Sequence, residues 1–329
     1  RRMKETDLPL NEGIKLERFR AIPVPRRAAQ GSSVAPGILF EFPRRKAAPI
    51  VHCHGLNLIS VPAGLAAKMV GRSKVLLSSH TDPSLLLGAP MAKALATFDG
   101  IIALTEYERK RMIALGCDPS KVYTIPNGLN LESFRNLPER ESFIRKQHLS
   151  GRMILYVGRL DRNKGCDTII EALPSLQERV GECTAVFVGP DWGYKNYLIQ
   201  LSAQRGIKTL FTGFLNREQL NEAFVACDVF VYPTNQEAFG LSILEAMVCG
   251  APVVAARVGG VPTLVRHRET GLLIPPRNPS ALADALSQVL KDKSLRNRIV
   301  TSARNMTSRY TIDKTVEQLE ALYIRMVAS

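Results

Sequence analysis

Apolar residues in the second half of the chain come in short unbroken runs, with polar stretches between them. MILYVG (153–158), TAVFVG (184–189), KTLF (208–211), DVFVYP (228–233), APVVAA (251–256) and GLLIP (271–275) are such runs. Val, Ile and Phe runs without polar alternation suit strands covered on both faces of a parallel sheet. The stretches between them predict helices near 165–180, 195–205, 217–226 and 239–248. Strand–helix alternation at this period predicts a doubly wound α/β domain. Further helices are expected near 280–291, 293–306 and 312–327.

The first half alternates less clearly. PIVHCHG (49–55), KVLLSSH (74–80), GIIALT (100–105) and KVYTIPNG (121–128) read as strands, with a helix over 106–115. The last of them ends in a Pro-Asn-Gly turn. NLPERESFIRKQHLS (136–150) is polar, contains Pro138, and is expected to be a linker. A length of 329 residues also favours two domains. The expected division is 1–135, a linker 136–150, a domain 151–311, and a terminal helix 312–329.

Composition changes this picture little. At 45% apolar and 22% charged the chain is ordinary globular material. No uncharged apolar run reaches the roughly 18 residues of a membrane-spanning helix. The nearest stretch, Leu56 to Val70, is broken by Pro62, Gly64 and Lys68. RRMKETDLPL has a basic start without the apolar region of a signal peptide. Six cysteines, at 53, 117, 166, 183, 227 and 249, stand apart from one another. Scattered thiols suggest a reducing compartment, so a cytoplasmic location is expected.

The net charge of +14 falls mostly in the first half, with visible clusters at Arg1, Arg2, Arg26, Arg27, Arg44, Arg45 and Lys46. Basic surfaces attract phosphorylated ligands, anionic membranes or nucleic acid. No zinc finger or aromatic RNA-binding pattern accompanies the charge, so nucleic acid is not the expected partner. A merely solvated basic face is the alternative.

The candidate chemistry gathers at strand ends, where ligands bind in doubly wound sheets. Gly158-Arg159, Gly189, Gly213 and Glu237 follow successive strands. VGRLDRNKG (157–165) puts Arg159 and Lys164 just before a helix, a pair able to neutralise a diphosphate. In PTNQEAFGLSILEAMVCGAPVVA seven residues separate Glu237 from Glu245. Glu237 precedes a helix expected to start at Phe239-Gly240, which puts Glu245 about two turns inside it. A helix N-terminus offers unpaired N–H groups and favours phosphate. Carboxylates flanking it can grip the hydroxyls of a sugar nucleotide. Equally, Glu237 can serve the helix dipole and Glu245 be a solvated position. His80, before Thr81-Asp82-Pro83, borders the first domain's edge or is structural. His52 and His54 alternate along a strand and share one face. They lack a third ligand of clear spacing, so no metal site is expected.

PNGLNLESF, ILYVGRLDRNKGCDTIIEAL, EAFGLSILEAMVCGAPVVA and VGGVPTLVRHRETGLLIPP together resemble glycosyltransferase family four. The resemblance spans residues 50–329 and is strongest over 121–290. These are retaining sugar-nucleotide enzymes of the GT-B fold, in which two Rossmann-like α/β domains face each other across a cleft. The resemblance implies that Arg159 and Lys164 hold the donor diphosphate and Glu237 the donor sugar. It implies that Ala238, Phe239, Gly240 and Leu241 form a loop facing sugar and phosphate. Glu245 would bind the ribose, Gly189 and Gly213 would border the nucleotide, and His80 would approach the reacting centre. The final helix would cross back onto the first domain.

The resemblance further implies metal-independent transfer with no cofactor, in which the leaving phosphate takes the acceptor's proton. The donor would be a UDP-, GDP- or ADP-sugar. The acceptor would be a hydroxyl on a saccharide or a lipid, with an anionic membrane's inner face as a possible partner surface. Family members usually begin with a strand, a Gly-rich loop and a helix before the region matching Arg1–Val24, so the first domain is expected to lack them. A GT-B epimerase of sugar nucleotides, or a binding fragment without catalysis, are the alternative readings.

Overall fold

The computed structural model describes residues 22–23, 33–34, 48–56, 60–70, 73–80 and 89–328. A two-residue antiparallel pair, β1 (Ile22–Pro23) and β2 (Ser33–Val34), stands apart. The first-half sheet contains β3 (Ile50–His54), β4 (Lys74–Ser78), β5 (Gly100–Ala103) and β6 (Val122–Thr124). All four are parallel and lie in chain order. Each falls within an apolar run that predicts it.

Two helices of this half were not expected, and Ala89–Ala96 is one of them. The other, Ser60–Val70, is helical although it contains Pro62 and Gly64. Pro62 stands in the first turn, where its missing N–H has no intrahelical acceptor to lose. Gly64 lets the helix lie close against Phe98, because a Cβ there would come 2.5 Å from the ring. The helix Glu106–Ala114 is capped by Thr105, whose hydroxyl accepts the Glu108 N–H at 3.2 Å. Glu108 is fully buried and accepts from the Leu104 N–H at 2.6 Å and from the Ser79 hydroxyl.

The second half forms a six-stranded parallel sheet. Its strands are β7 (Arg152–Val157), β8 (Cys183–Val188), β9 (Lys208–Gly213), β10 (Val229–Tyr232), β11 (Val253–Ala256) and β12 (Leu272–Ile274). Their spatial order is β12-β11-β10-β7-β8-β9. Strands β8, β10 and β11 are buried along their whole length, as unbroken apolar runs require. The chain steps outward through β8 and β9, then returns to lay β10 on the other side of β7. This order is that of the dinucleotide-binding folds, and the reversal between β7 and β10 opens a crevice at the strands' carboxyl ends.

The expected linker is partly a structured element. Arg140–Lys146 is a helix, and Phe143 is buried in the second domain's core. Lys146 donates to Glu222 at 2.6 Å and Ser142 to the same oxygen at 3.0 Å, tying the segment to the helix Arg217–Ala226. The helix is too short, and too surrounded by charge, for its apolar side to show as a period.

The helix Ile312–Ala328 lies on the first sheet, where Leu322 and Met326 are buried with Leu76, Ile102 and Ile125. The chain passes between the two halves at 129 and 311. There Leu129 N–H donates to Tyr310 O and Ile312 N–H to Leu129 O, both at 2.9 Å. Gly128 fits this crossing because a Cβ would lie 2.2 Å from Thr311 O. Among the described residues no helix is long and apolar enough to cross a membrane. The basic clusters at 1, 2, 26, 27 and 44–46 lie outside the described residues.

Phe143→Ala should destabilise the second domain by about 3–5 kcal/mol, the usual cost of emptying a buried aromatic site. Urea unfolding followed by far-UV circular dichroism reads this. A loss below about 1 kcal/mol would mean that 140–146 is a passive connection.

Candidate functional site

The crevice predicted by the β7/β10 reversal is a cavity of about 580 Å³. It is lined from the second domain by Gly158, Arg159, Lys164, Tyr232 and the run Glu237–Ser242 with Glu245, and from the first by His80, Leu104 and Asn127. A shallower depression of about 360 Å³, at the strands' amino ends, is bordered by Arg140, Arg152 and Asp228. Those arginines already pair with Asp228 at 2.9 and 3.2 Å, so the carboxyl-end cleft is the better candidate.

Its floor is a partly buried ion pair. Lys164 Nζ lies 2.9 Å from Glu237 Oε2, and both side chains are 15% exposed. The Tyr232 hydroxyl donates to the same carboxylate oxygen, and the Phe239 N–H approaches the other at 3.4 Å. Burial acts to raise the Glu237 pKa. The Lys164 charge and the hydrogen bonds from Tyr232, Lys164 and the Phe239 N–H outweigh it, and the carboxyl stays below its ordinary value. Burial, then the Glu237 charge, push the Tyr232 phenol well up, so it remains a donor.

Glu237 is held by glycines. Gly240 is left-handed (φ 97°) and forms the start of the helix Leu241–Cys249, with no side chain capping it. The orphan N–H groups of that first turn therefore face the cleft without a side-chain acceptor. Gly259 and Gly260 press on the same loop: a Cβ on either would lie within about 2 Å of the Glu237 or Ala238 carbonyl oxygen. The Gly260 N–H donates to Glu237 O at 2.9 Å.

The helix begins two residues later than its sequence suggested, so Glu245 lies about one turn inside it rather than two. Its Oε1 pairs with Arg217 Nη1 at 2.7 Å, and the carboxylate is 12% exposed. The solvated alternative for Glu245 therefore does not hold.

The structure brings Arg159, Lys164, Glu237, Ala238, Phe239, Gly240, Leu241, Glu245 and His80 to one cavity. It does not bring Gly189 and Gly213 into the lining. Gly189 packs on β7 instead, where a Cβ would meet Gly158 O at 2.1 Å. Tyr232, Ser242 and Asn127 line the cleft but were not singled out by sequence. Tyr232 reads as another buried strand residue, and Asn127 as part of a turn. Neither carried a signal separate from its structural role.

His80 adopts a left-handed φ of 50°. Its Nε2 lies 3.2 Å from His54 Nδ1, and the two rings stack. His52 bonds the Tyr323 hydroxyl at 2.6 Å and the Ser78 hydroxyl at 2.7 Å, which occupies both its nitrogens. Burial, then the neighbouring His54 and His80, push His52 down to about 4. Burial lowers His54 and His80 as well. Among the described residues no group of three or more His, Cys, Asp or Glu is arranged to hold a metal ion.

Two parallel α/β domains, with a carboxylate–lysine floor at a helix N-terminus between them, define a GT-B protein. The chain belongs to the family four glycosyltransferases. Residues 5–133 match the Glycosyltransferase Family 4 model, and 139–306 match Glycosyl transferases group 1. An uncharacterised glycosyltransferase of Methanocaldococcus jannaschii is 29% identical over 83% of this chain and 74% of its own. A D-inositol 3-phosphate glycosyltransferase of Acidothermus cellulolyticus is 32% identical over 70% of this chain, and the match covers 54% of that enzyme. The chain thus spans little more than half the length of that relative. The HepE protein of Anabaena, crystallised with UDP and glucose, has the same fold, with a TM-score of 0.77. Its identity is 22% over 88% of this chain and 81% of that one.

Lys164→Met should raise the Glu237 pKa above its ordinary 4.5, because burial is then opposed only by the weaker hydrogen bonds. In the native protein the depressed pKa contributes stability above about pH 4.5, lost as pH falls through the folded value. In the variant the sign reverses, and stability relative to the native protein rises on acidification from about pH 7 to 5. Urea midpoints across that range test it. Parallel curves for the two proteins would contradict the assignment.

Proposed function

We propose that the chain is a retaining glycosyltransferase that moves a sugar from a nucleotide-sugar donor to an acceptor hydroxyl. The observation that carries this reading is the Lys164–Glu237 pair at the uncapped N-terminus of Leu241–Cys249, in a cleft that Arg159 also enters. The donor diphosphate lies against Lys164, Arg159 and the first N–H groups of that helix. Its sugar hydroxyls replace Tyr232 and the Phe239 N–H among the partners of Glu237. Glu245 takes the ribose hydroxyls. The base extends toward Gly213, beside which a Cβ would find open space.

Chemically, the bond from sugar C1 to the diphosphate oxygen breaks and a bond from C1 to the acceptor oxygen forms. The acceptor's proton passes to the departing phosphate oxygen on the same face of the sugar. Negative charge grows on the diphosphate as the bond breaks, and fixed cations aimed at it stabilise that state most. His80 faces the sugar from the other domain. The residues fit transfer without a metal, since Lys164 and Arg159 supply the neutralising charge.

The donor class is a UDP-, GDP- or ADP-sugar. Similar proteins include structures with UDP-glucose and a GDP-mannose-dependent mannosyltransferase of Mycobacterium tuberculosis. A thermal-shift screen of the three classes selects among them, since a ligand at 100 times its dissociation constant adds about 2.7 kcal/mol. If no sugar nucleotide shifts the transition, the donor assignment fails.

Glu245→Ala should weaken binding of the bare nucleoside diphosphate by roughly 1.5–3 kcal/mol, while Glu237→Gln weakens only the intact sugar nucleotide. Equal effects on the bare nucleotide would show the roles wrongly divided. Lys164→Ala should reduce kcat more than it reduces donor affinity, because its partner charge grows in the transition state. A change confined to KM would contradict that.

The acceptor is a hydroxyl on a saccharide or a lipid, and the two are separable. A lipid acceptor brings the basic first half of a cytoplasmic protein to an anionic bilayer, each Lys or Arg adding about 1 kcal/mol. Sedimentation with anionic vesicles that weakens with salt supports this source. Indifference to lipid charge leaves the saccharide.

A further inference from the structure

Arg159 does not stand alone at the mouth of the cleft. Its guanidinium carbon lies 4.3 Å from the ring centroid of Trp192. Among the described residues its carboxylate partner is Asp161, at 3.7 Å, too far for a good hydrogen bond. Trp192 is the single tryptophan of the chain and half exposed, an unusual place for so large an apolar surface.

The backbones on both sides of this contact are fixed. The Arg159 carbonyl accepts the Tyr156 hydroxyl at 2.9 Å. The Leu160 N–H donates to Pro190 O at 2.9 Å, and the Trp192 N–H donates to Leu160 O at 3.0 Å. Asp191 Oδ1 accepts from the Gly193, Tyr194 and Lys195 N–H groups at 2.8, 2.9 and 3.1 Å. The loop after β8 is thus bolted to the loop after β7. The long side chain of Arg159 is less constrained than its backbone, and its guanidinium carbon lies over the indole ring.

We propose that Trp192 is a positioning residue for the diphosphate-binding arginine. The proposal rests on the donor reading above. A guanidinium stacked on an aromatic face keeps its N–H donors in the free plane, where a phosphate can take two at once. Stacking therefore restricts the arginine's rotamers without using the groups that bind the ligand. Ordering that would otherwise accompany binding is already present in the free protein. Asp161 is the competing anion at 3.7 Å, and its other carboxylate oxygen already accepts from the Asn163 N–H at 2.9 Å.

The test is a double-mutant cycle read with UDP, GDP and ADP and with the corresponding nucleosides. Trp192→Leu should weaken the tightest nucleoside diphosphate by about 2- to 30-fold, the range of a cation–π contact. It should leave nucleoside affinity essentially unchanged. Trp192→Phe, which keeps an aromatic face, should recover most of the loss. In an Arg159→Ala background, Trp192→Leu should add nothing further. Because the chain has one tryptophan, its emission should change with a diphosphate and not with a nucleoside, and that change should vanish in Arg159→Ala. An equal loss for nucleosides, or additive losses in the cycle, would overturn the inference while leaving the donor reading intact. Failure of the native protein to bind any of the three diphosphates would overturn both.

Discussion

Everything at the candidate site depends on β10 lying beside β7. The chain approaches this pair of strands from opposite sides of the sheet, so the loops that follow them diverge and leave a crevice. Arg159 and Lys164 come from the loop after β7 and Glu237 from the loop after β10. Their contact exists only because the two strands are neighbours, although 73 positions separate Lys164 from Glu237 in sequence. The ion pair then repays the arrangement locally. A lysine or a glutamate buried alone at this depth would be strongly destabilising, and together they satisfy each other.

Much of the architecture was visible in the chain because parallel strands covered on both faces must be apolar throughout. The runs at 153–158, 184–189 and 228–233 have no other good structural use. The rule that ligands meet strand ends pointed to Arg159 and Glu237, and equally to Gly189 and Gly213, which lie outside the cavity lining. What stayed hidden was whatever depends on a distant partner. Glu245 is singled out by its spacing, but its ion pair with Arg217 is not visible in the local sequence. Phe143 reads as one aromatic in a charged stretch until the helix Arg217–Ala226 gives it a core to enter. Tyr232 hides in a strand whose other residues are also buried.

The late start of the helix Leu241–Cys249 has a similar origin. Local sequence favours helix from Phe239, but the chain must first turn through the left-handed Gly240 to put Glu237 over Lys164. Gly259 and Gly260 then leave no room for that loop to relax. Two distant glycines thus fix a boundary that local propensity would set differently. The site is built from backbone close approach as much as from side chains.

The helix Ile312–Ala328 carries a consequence for how the protein comes to be folded. Leu322 and Met326 complete the hydrophobic layer over β4, β5 and the segment after β6. One of the two hydroxyl partners of His52 lies 271 positions later, on Tyr323. During synthesis, Leu76, Ile102 and Ile125 therefore emerge long before the residues that cover them. Domains generally fold as they leave the ribosome, from the N-terminal side first. Here the layer that Leu322 and Met326 supply over β4 and β5 is added last, after every strand of the second domain has been made.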